Sequence, residues 1–273
     1  MMSKVGVITN QEEFFNRNSK TSKQFFLSQV FYDYINREQI LCFASLEGAR
    51  TILEYGCGTG MSIDLYSKYR NFKQDGVQII GVDIAKDATK EAQKKYPDFK
   101  FYKIDNNKIP QLEDSSMDGA YMVHVLHHAK GHQQIFDEIF RKLKPEGVFF
   151  LNDLTSNNPF VKLGRLVFAF VPKFIKSKFS KDDLVVDGKI PEKYKVGVEK
   201  VLTQLKKSGF KVEKVGFGHL FCFLIAWFEK FVPLSKFSPI RWLYKALMSF
   251  ESYLLNFRIF QKRAEVFYVI CKK

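Results

Sequence analysis

Five short apolar runs alternate with amphipathic stretches between residues 50 and 155, and this rhythm limits the chain to very few folds. "TILEYG" (51–56), "VQIIGVDI" (77–84), "FKFYKID" (99–105), "DGAYMVHVL" (118–126) and "VFFLNDL" (148–154) are each the length of a strand. Helical patterns through "MSIDLYSKY", "AKDATKEAQKKY" and "HQQIFDEIFRKLK" separate them. Strands that are apolar along their whole length are buried on both faces, and helix-length connections join strands that run parallel. Right-handed crossovers then give a Rossmann-like, doubly wound α/β layer.

Outside this region the alternation changes. "TSKQFFLSQVFYDYINREQIL" (21–41) predicts an amphipathic helix across the carboxyl edge of the sheet, so residues 1–50 read as an N-terminal helical cap. "VEKVLTQLKKSG" predicts a helix with a glycine stop, and "FKVEKVGF" (210–217) and "EVFYVICKK" (265–273) predict two further strands. The core is therefore expected over 51–217 with 264–273, and residues 218–263 form a basic, amphipathic helical insertion. Within it "LFCFLIAWF" (220–228) is too short to span a bilayer as a helix.

Charge is unevenly spread. Residues 1–150 hold 20 Lys/Arg against 19 Asp/Glu, whereas 151–273 hold 23 against 10, so nearly all of the net +14 lies in the second half. There, basic residues interleave with phenylalanines, and the chain has 29 of these in all. That pattern predicts a surface facing something anionic, with a membrane surface through 160–181 and 220–263 favoured and nucleic acid disfavoured for want of a binding module. Four scattered cysteines form no C-x-x-C pair, so neither a metal site nor a disulfide framework is expected. The first residues carry no apolar signal-peptide core, which predicts a cytoplasmic location, peripheral on the inner face of the membrane if the basic half docks there.

The functional signal lies where the first strand ends. "TILEYGCGTG" (51–60) places Gly56, Gly58 and Gly60 behind a strand and ahead of a helix. Glycines there free backbone N–H groups to meet a ligand and allow it close approach. A dinucleotide fingerprint would need a third glycine at position 61, which is Met, and Glu54 stands two residues before the loop. An acid at that place suits a ligand with a cationic group better than a pyrophosphate. Asp83 ends the second strand, placed to accept both hydroxyls of a ribose. Asp105 and Asn106 end the third, where a carboxylate and an amide can bond an adenine edge. Together they describe a crevice for an adenosine with a charged, non-phosphate tail.

With "GVDIA", "YKIDNNKIP", "SSMDGAYMVHVLHHA" and "IFRKLKPEGVFFLND", the stretch resembles the class I S-adenosylmethionine-dependent methyltransferases. Among these it is most similar to the broad group that includes the ubiquinone and menaquinone biosynthesis enzymes. The resemblance implies a seven-stranded sheet with an antiparallel last strand and S-adenosylmethionine as cofactor. It implies that Gly56, Cys57, Gly58 and Gly60 line the methionine portion, with Glu54 near its amino group. Asp83 and Ile84 would meet the ribose side, Asp105 and Asn106 the adenine, and His124 would face the cofactor through its backbone. His127 and His128, just past the fourth strand, are candidates for a general base should the acceptor be a hydroxyl. The acceptor is expected to be a small molecule or lipid-linked, with a quinone precursor or lipid-linked glycan favoured. A nicotinamide-dependent oxidoreductase, or a binding protein that keeps the fold without the chemistry, are the alternatives. The sequence says nothing of oligomeric state.

Overall fold

The computed structural model describes residues 29–155, 158–163, 196–222, 224–225 and 234–273. Residues 21–28 of the expected N-terminal helix lie outside this set, as do most of the basic stretch 160–181 and part of the apolar run 220–228.

Seven strands form one sheet in the order β3-β2-β1-β4-β5-β7-β6. They are β1 (Thr51–Tyr55), β2 (Gln78–Asp83), β3 (Lys100–Lys103), β4 (Met117–Val123), β5 (Leu143–Leu154), β6 (Lys211–Gly218) and β7 (Val266–Lys272). β1 to β5 pair in parallel, and β7 runs antiparallel between β5 and β6. All seven strands fall where the apolar patterning places them, and the fold is the Rossmann-like mixed sheet expected.

Alternate residues of each strand feed two cores. Leu53, Val82, Met122 and Leu151 bury one face beneath α5 (His132–Lys142) and α6 (Val198–Lys207), through Ile135, Phe136, Val201 and Leu205. Ile52, Ile79, Tyr121 and Phe150 bury the other beneath α2 (Arg37–Ser45), α3 (Met61–Tyr66) and α4 (Lys86–Lys95). Glycine is required where strands and helices come closest. A Cβ on Gly81 would stand 2.5 Å from the Phe101 ring and 2.9 Å from the Cys57 Cβ.

The chain leaves β1 toward β2 on one side, while β4 lies on the other side of β1. The direction of winding therefore reverses between β1 and β4, and this opens a crevice at their carboxyl ends.

Two helices end earlier than periodicity alone suggests. The N-terminal helix is in two pieces, α1 (Gln29–Ile35) and α2, which meet at Asn36, whose side-chain amide donates to the Tyr32 carbonyl at 2.8 Å. The long helix of the insertion is also divided, into α7 (Ser238–Leu254) and α8 (Arg258–Gln261), where Phe257 adopts an extended conformation. No described helix is long and apolar enough to cross a membrane.

The N-terminal cap is fastened to the far end of the sheet by buried charge. Glu38 pairs with His219, the residue after β6, at 3.2 Å, and the Tyr34 hydroxyl pairs with Glu251 of α7 at 2.5 Å. Burial alone would raise the Glu38 carboxyl, but the charge of His219 prevails and holds it at about 2. Burial would lower the His219 imidazole in turn, but the Glu38 charge outweighs that and raises it.

The packing at Gly81 gives a direct check. Gly81→Ala is expected to cost about 1–3 kcal/mol, because neither the Phe101 ring nor the Cys57 Cβ can give way freely. Urea unfolding should show a lower midpoint with an unchanged slope.

Candidate functional site

The glycine loop is built from left-handed backbone. Gly56, Gly58 and Gly60 have φ of 80°, 50° and 79°. Two of them are also fixed by neighbours. A Cβ on Gly56 would lie 2.2 Å from a Val125 methyl, and one on Gly60 would lie 2.6 Å from the Tyr96 ring. Gly58 differs, since a Cβ there would meet nothing within 4 Å. Its glycine is demanded by backbone conformation and leaves open space above the loop. Cys57 contributes backbone only: its thiol is buried in the core against Gly81 and kept protonated by that burial.

Asp83 holds the loop in place. One carboxylate oxygen accepts the Gly58 N–H and the other the Ala85 N–H, both at 2.8 Å. Burial pushes this carboxyl up, opposed by those backbone hydrogen bonds. Each oxygen retains a lone pair, so the group can still accept hydroxyls. Ile84 beside it is half-buried against the apolar core.

Glu54 lies under the loop, buried between β1 and α3. Its Oε1 accepts the Ser62 hydroxyl, and its Oε2 is buried with no hydrogen-bond partner among the described residues. Burial, the dominant cause, lifts this carboxyl to about 7 despite the Ser62 and Tyr121 hydroxyls. A buried carboxylate oxygen without a donor costs free energy until a donor or cation meets it. The donor set therefore fits a ligand with an ammonium group, the group that S-adenosylmethionine carries.

Asp105 and Asn106 are exposed at the end of β3, and Asp105 pairs with Lys103 at 2.8 Å. Exposed pairs of this kind are weak, so a ligand can displace Lys103 at small cost. Asn107, which the sequence reading did not single out, ties this loop inward. It accepts from the Tyr55 hydroxyl at 3.2 Å and donates to the Lys130 carbonyl at 3.0 Å.

Opposite the glycine loop, β4 ends in a cluster of histidines. His124 has φ of 56°, and its N–H donates to the Asn152 carbonyl at 2.9 Å. Solvent reaches its ring, yet surrounding protein pushes its pKa down to about 4, as at the floor of a crevice. His127 and His128 follow in a 3₁₀ turn with ring centroids 3.8 Å apart. Their surroundings separate them. His128 is pushed down to about 4, first by burial and then by His127. His127 instead places Nδ1 2.6 Å from Asp153 Oδ1.

Asp153 ends β5 fully buried. Burial would raise its carboxyl, but the hydrogen bond from His127 opposes that, and the carboxyl lies below the ordinary carboxylate range. Its second oxygen accepts the Leu126 N–H at 2.6 Å, which fixes the turn. An ionised carboxylate only accepts, so Nδ1 of His127 carries the proton and Nε2 is left as the basic nitrogen. The sequence reading missed Asp153. It sits at a strand end like Asp83 and Asp105, but its pairing across β4 and β5 cannot be seen along the chain. No cluster of potential metal ligands occurs among the described residues.

Residues 53–151 match the family described as "Methyltransferase domain". The bifunctional biotin biosynthesis protein BioHC of Teredinibacter turnerae is 31% identical over 46% of this chain and 24% of its own length. The sterol 4-C-methyltransferase strm-1 of Caenorhabditis elegans is 30% identical over 40% of this chain and 33% of its own. The chain thus spans well under half the length of these curated relatives. The structure of an S-adenosylmethionine-dependent methyltransferase from Aquifex aeolicus covers 97% of this chain, and 99% of that one is matched, with a TM-score of 0.53 at 16% identity. That likeness shows the fold. With the family match over residues 53–151, it supports a class I S-adenosylmethionine-dependent methyltransferase domain, and S-adenosylmethionine is the cofactor of that class.

The raised Glu54 carboxyl predicts a pH signature. Its folded pKa of about 7 exceeds the ordinary 4.5, so its stabilising neutral form is fully present below about 4.5 and lost as pH rises through 7. Glu54→Gln keeps the group neutral. The variant should therefore gain on the order of 2–3 kcal/mol relative to the native chain on going from acidic to mildly alkaline pH. Urea unfolding of both chains at the two pH values measures this.

Proposed function

We propose that this chain transfers a methyl group from S-adenosylmethionine to a small-molecule acceptor, in an in-line displacement. The observation that carries the proposal is the left-handed glycine loop, pinned by Asp83 over a buried, partnerless Glu54 oxygen. When bound, the cofactor supplies an electrophilic methyl on a sulfonium. The chain supplies placement. Gly56, Gly58 and Gly60 admit the methionine portion, with only the backbone of Cys57 facing it, and Glu54 receives its ammonium. Asp83 accepts the ribose hydroxyls beside Ile84. Asp105 and Asn106 hold the adenine edge, and His124 closes the floor through its backbone. Little covalent work falls to the protein, since alignment and exclusion of water carry most of a methyl transfer.

His127 does the remaining work when the acceptor must lose a proton. Nε2 takes that proton, and Asp153, ionised and bonded to Nδ1, steadies the imidazolium that results. This favours a hydroxyl acceptor. His128, neutral and tilted against the His127 ring, is assigned no proton transfer.

The acceptor we favour is lipid-linked or membrane-dissolved, such as a quinone precursor or a lipid-linked glycan. The protein would then work in the cytoplasm at the inner face of the membrane. Support comes from the aromatic and basic surface between β6 and β7, and from a relative named for a sterol.

Incubating the protein with methyl-labelled S-adenosylmethionine and fractionated cell lipids or polar metabolites tests both parts. Label should enter the lipid fraction with a mass gain of one methylene. Asp153→Asn should lower kcat by about 10²–10⁴ and displace the pH profile, with cofactor affinity unchanged. Label confined to polar metabolites would overturn the acceptor class, and no transfer to any fraction would overturn the activity.

A further inference from the structure

The helix α7 is apolar on two opposite faces, and among the described residues only one of them is packed against a partner. Its inner face, with Tyr244, Leu247, Met248 and Glu251, packs on Tyr34, Cys222 and Phe221. At about 100° per residue, positions 242, 246, 249, 250 and 253 gather on the side away from Glu251. Three of these are Trp242, Phe250 and Tyr253, which are 72%, 53% and 58% exposed. Phe257 continues the stripe, edge-on to Tyr253 at 5.4 Å, and Ile259 extends it onto α8. A water-facing side of an ordinary helix carries polar residues at such positions. An aromatic stripe left there marks an interaction surface.

The charges around the stripe say what it meets. Between Ser238 and Arg263 stand Arg241, Lys245, Arg258, Lys262 and Arg263, and the single acid is Glu251. Glu251 is fully buried and spent on the Tyr34 hydroxyl and on the Phe221 and Cys222 N–H groups, at 2.7 and 2.6 Å. The surface of this segment therefore presents positive charge and no negative charge. Tryptophan and tyrosine with flanking Lys and Arg match the headgroup layer of a bilayer, where an amphipathic ring is half wet and a cation meets lipid phosphate.

We propose that the outward face of α7 and α8 docks on a bilayer containing anionic lipid, with α7 lying in the plane of the headgroups. The surface is held firmly enough to act as a unit. Glu251 fixes α7 to α1 and to the chain after β6, and His219 there is paired with Glu38. Docking thus ties the membrane to the carboxyl end of the sheet, the end that carries the glycine loop and His127. A lipid-borne acceptor would reach the site from that side. This last step rests on the proposed methyl transfer, whereas docking does not and is measured without cofactor or acceptor.

Flotation of the full chain with vesicles of phosphatidylcholine, alone or mixed with phosphatidylglycerol, is the test. The native chain should float with the mixed vesicles, release in high salt, and bind neutral vesicles at least tenfold more weakly. Trp242→Ser with Phe250→Ser and Tyr253→Ser should lower partitioning at least tenfold. Lys245→Glu with Arg258→Glu and Lys262→Glu should abolish the preference for phosphatidylglycerol, at about fivefold per charge. Trp227→Phe leaves Trp242 as the remaining tryptophan of the two. Brominated lipid should quench it in a chain with every other residue native, so this readout stands if either triple variant fails to fold. Equal flotation of native and variant chains, binding indifferent to phosphatidylglycerol, or an unquenched Trp242 would overturn the proposal. So would a native dimer that the aromatic variant converts to monomer, since the stripe would then be a protein interface.

Discussion

The hydrogen bond from Gly58 N–H to Asp83 sets the terms for everything else at the site. It joins the end of β1 to the end of β2 and holds a left-handed turn that other residues would resist. Three glycines with positive φ in five positions amount to stored conformational cost, since glycine loses more freedom on folding than any other residue. The sheet meets that cost by packing, with Val125 against Gly56 and Tyr96 against Gly60. What remains is a loop whose open side, at Gly58, has no side chain and faces the crevice between β1 and β4.

Around this turn the carboxylates fall into distinct electrical states, and their differences define their uses. Glu54 is buried without enough donors and rises toward neutrality. Asp83 is raised by burial too, but backbone N–H groups bond it and oppose that rise. Asp153 is buried more deeply than either by accessible surface, yet it is held low by His127. A group left in want of a cation, a group with spare lone pairs and a group that steadies an imidazolium are three different tools. They stand at the ends of β1, β2 and β5 respectively.

The sheet was almost wholly legible in the sequence because strand and loop signals are local. Apolar runs mark β1 to β5, and glycines and acids mark their carboxyl ends. What escaped depends on residues far apart in the chain. His127 and His128 are equivalent in sequence and distinguished only by Asp153, 26 and 25 positions away. The Glu38–His219 and Tyr34–Glu251 pairs join segments about two hundred residues apart. In α7, Trp242, Phe250 and Tyr253 interleave with Tyr244, Met248 and Glu251, so composition showed an aromatic and basic helix without saying which aromatics face outward. The breaks at Asn36 and near Phe257 were hidden because the apolar spacing runs on through them.

The central claim is that the glycine loop, Glu54 and Asp83 form a site for an adenosyl sulfonium bearing an ammonium group. Titration calorimetry of the purified chain with S-adenosylmethionine, its demethylated product and NAD tests it most directly. One site is expected for the first two and none for NAD, with affinity rising between about pH 6 and 8 as Glu54 ionises, and with this pH dependence lost in Glu54→Gln. Binding of NAD without S-adenosylmethionine, or binding of the sulfonium that is indifferent to both pH and Glu54, would contradict it.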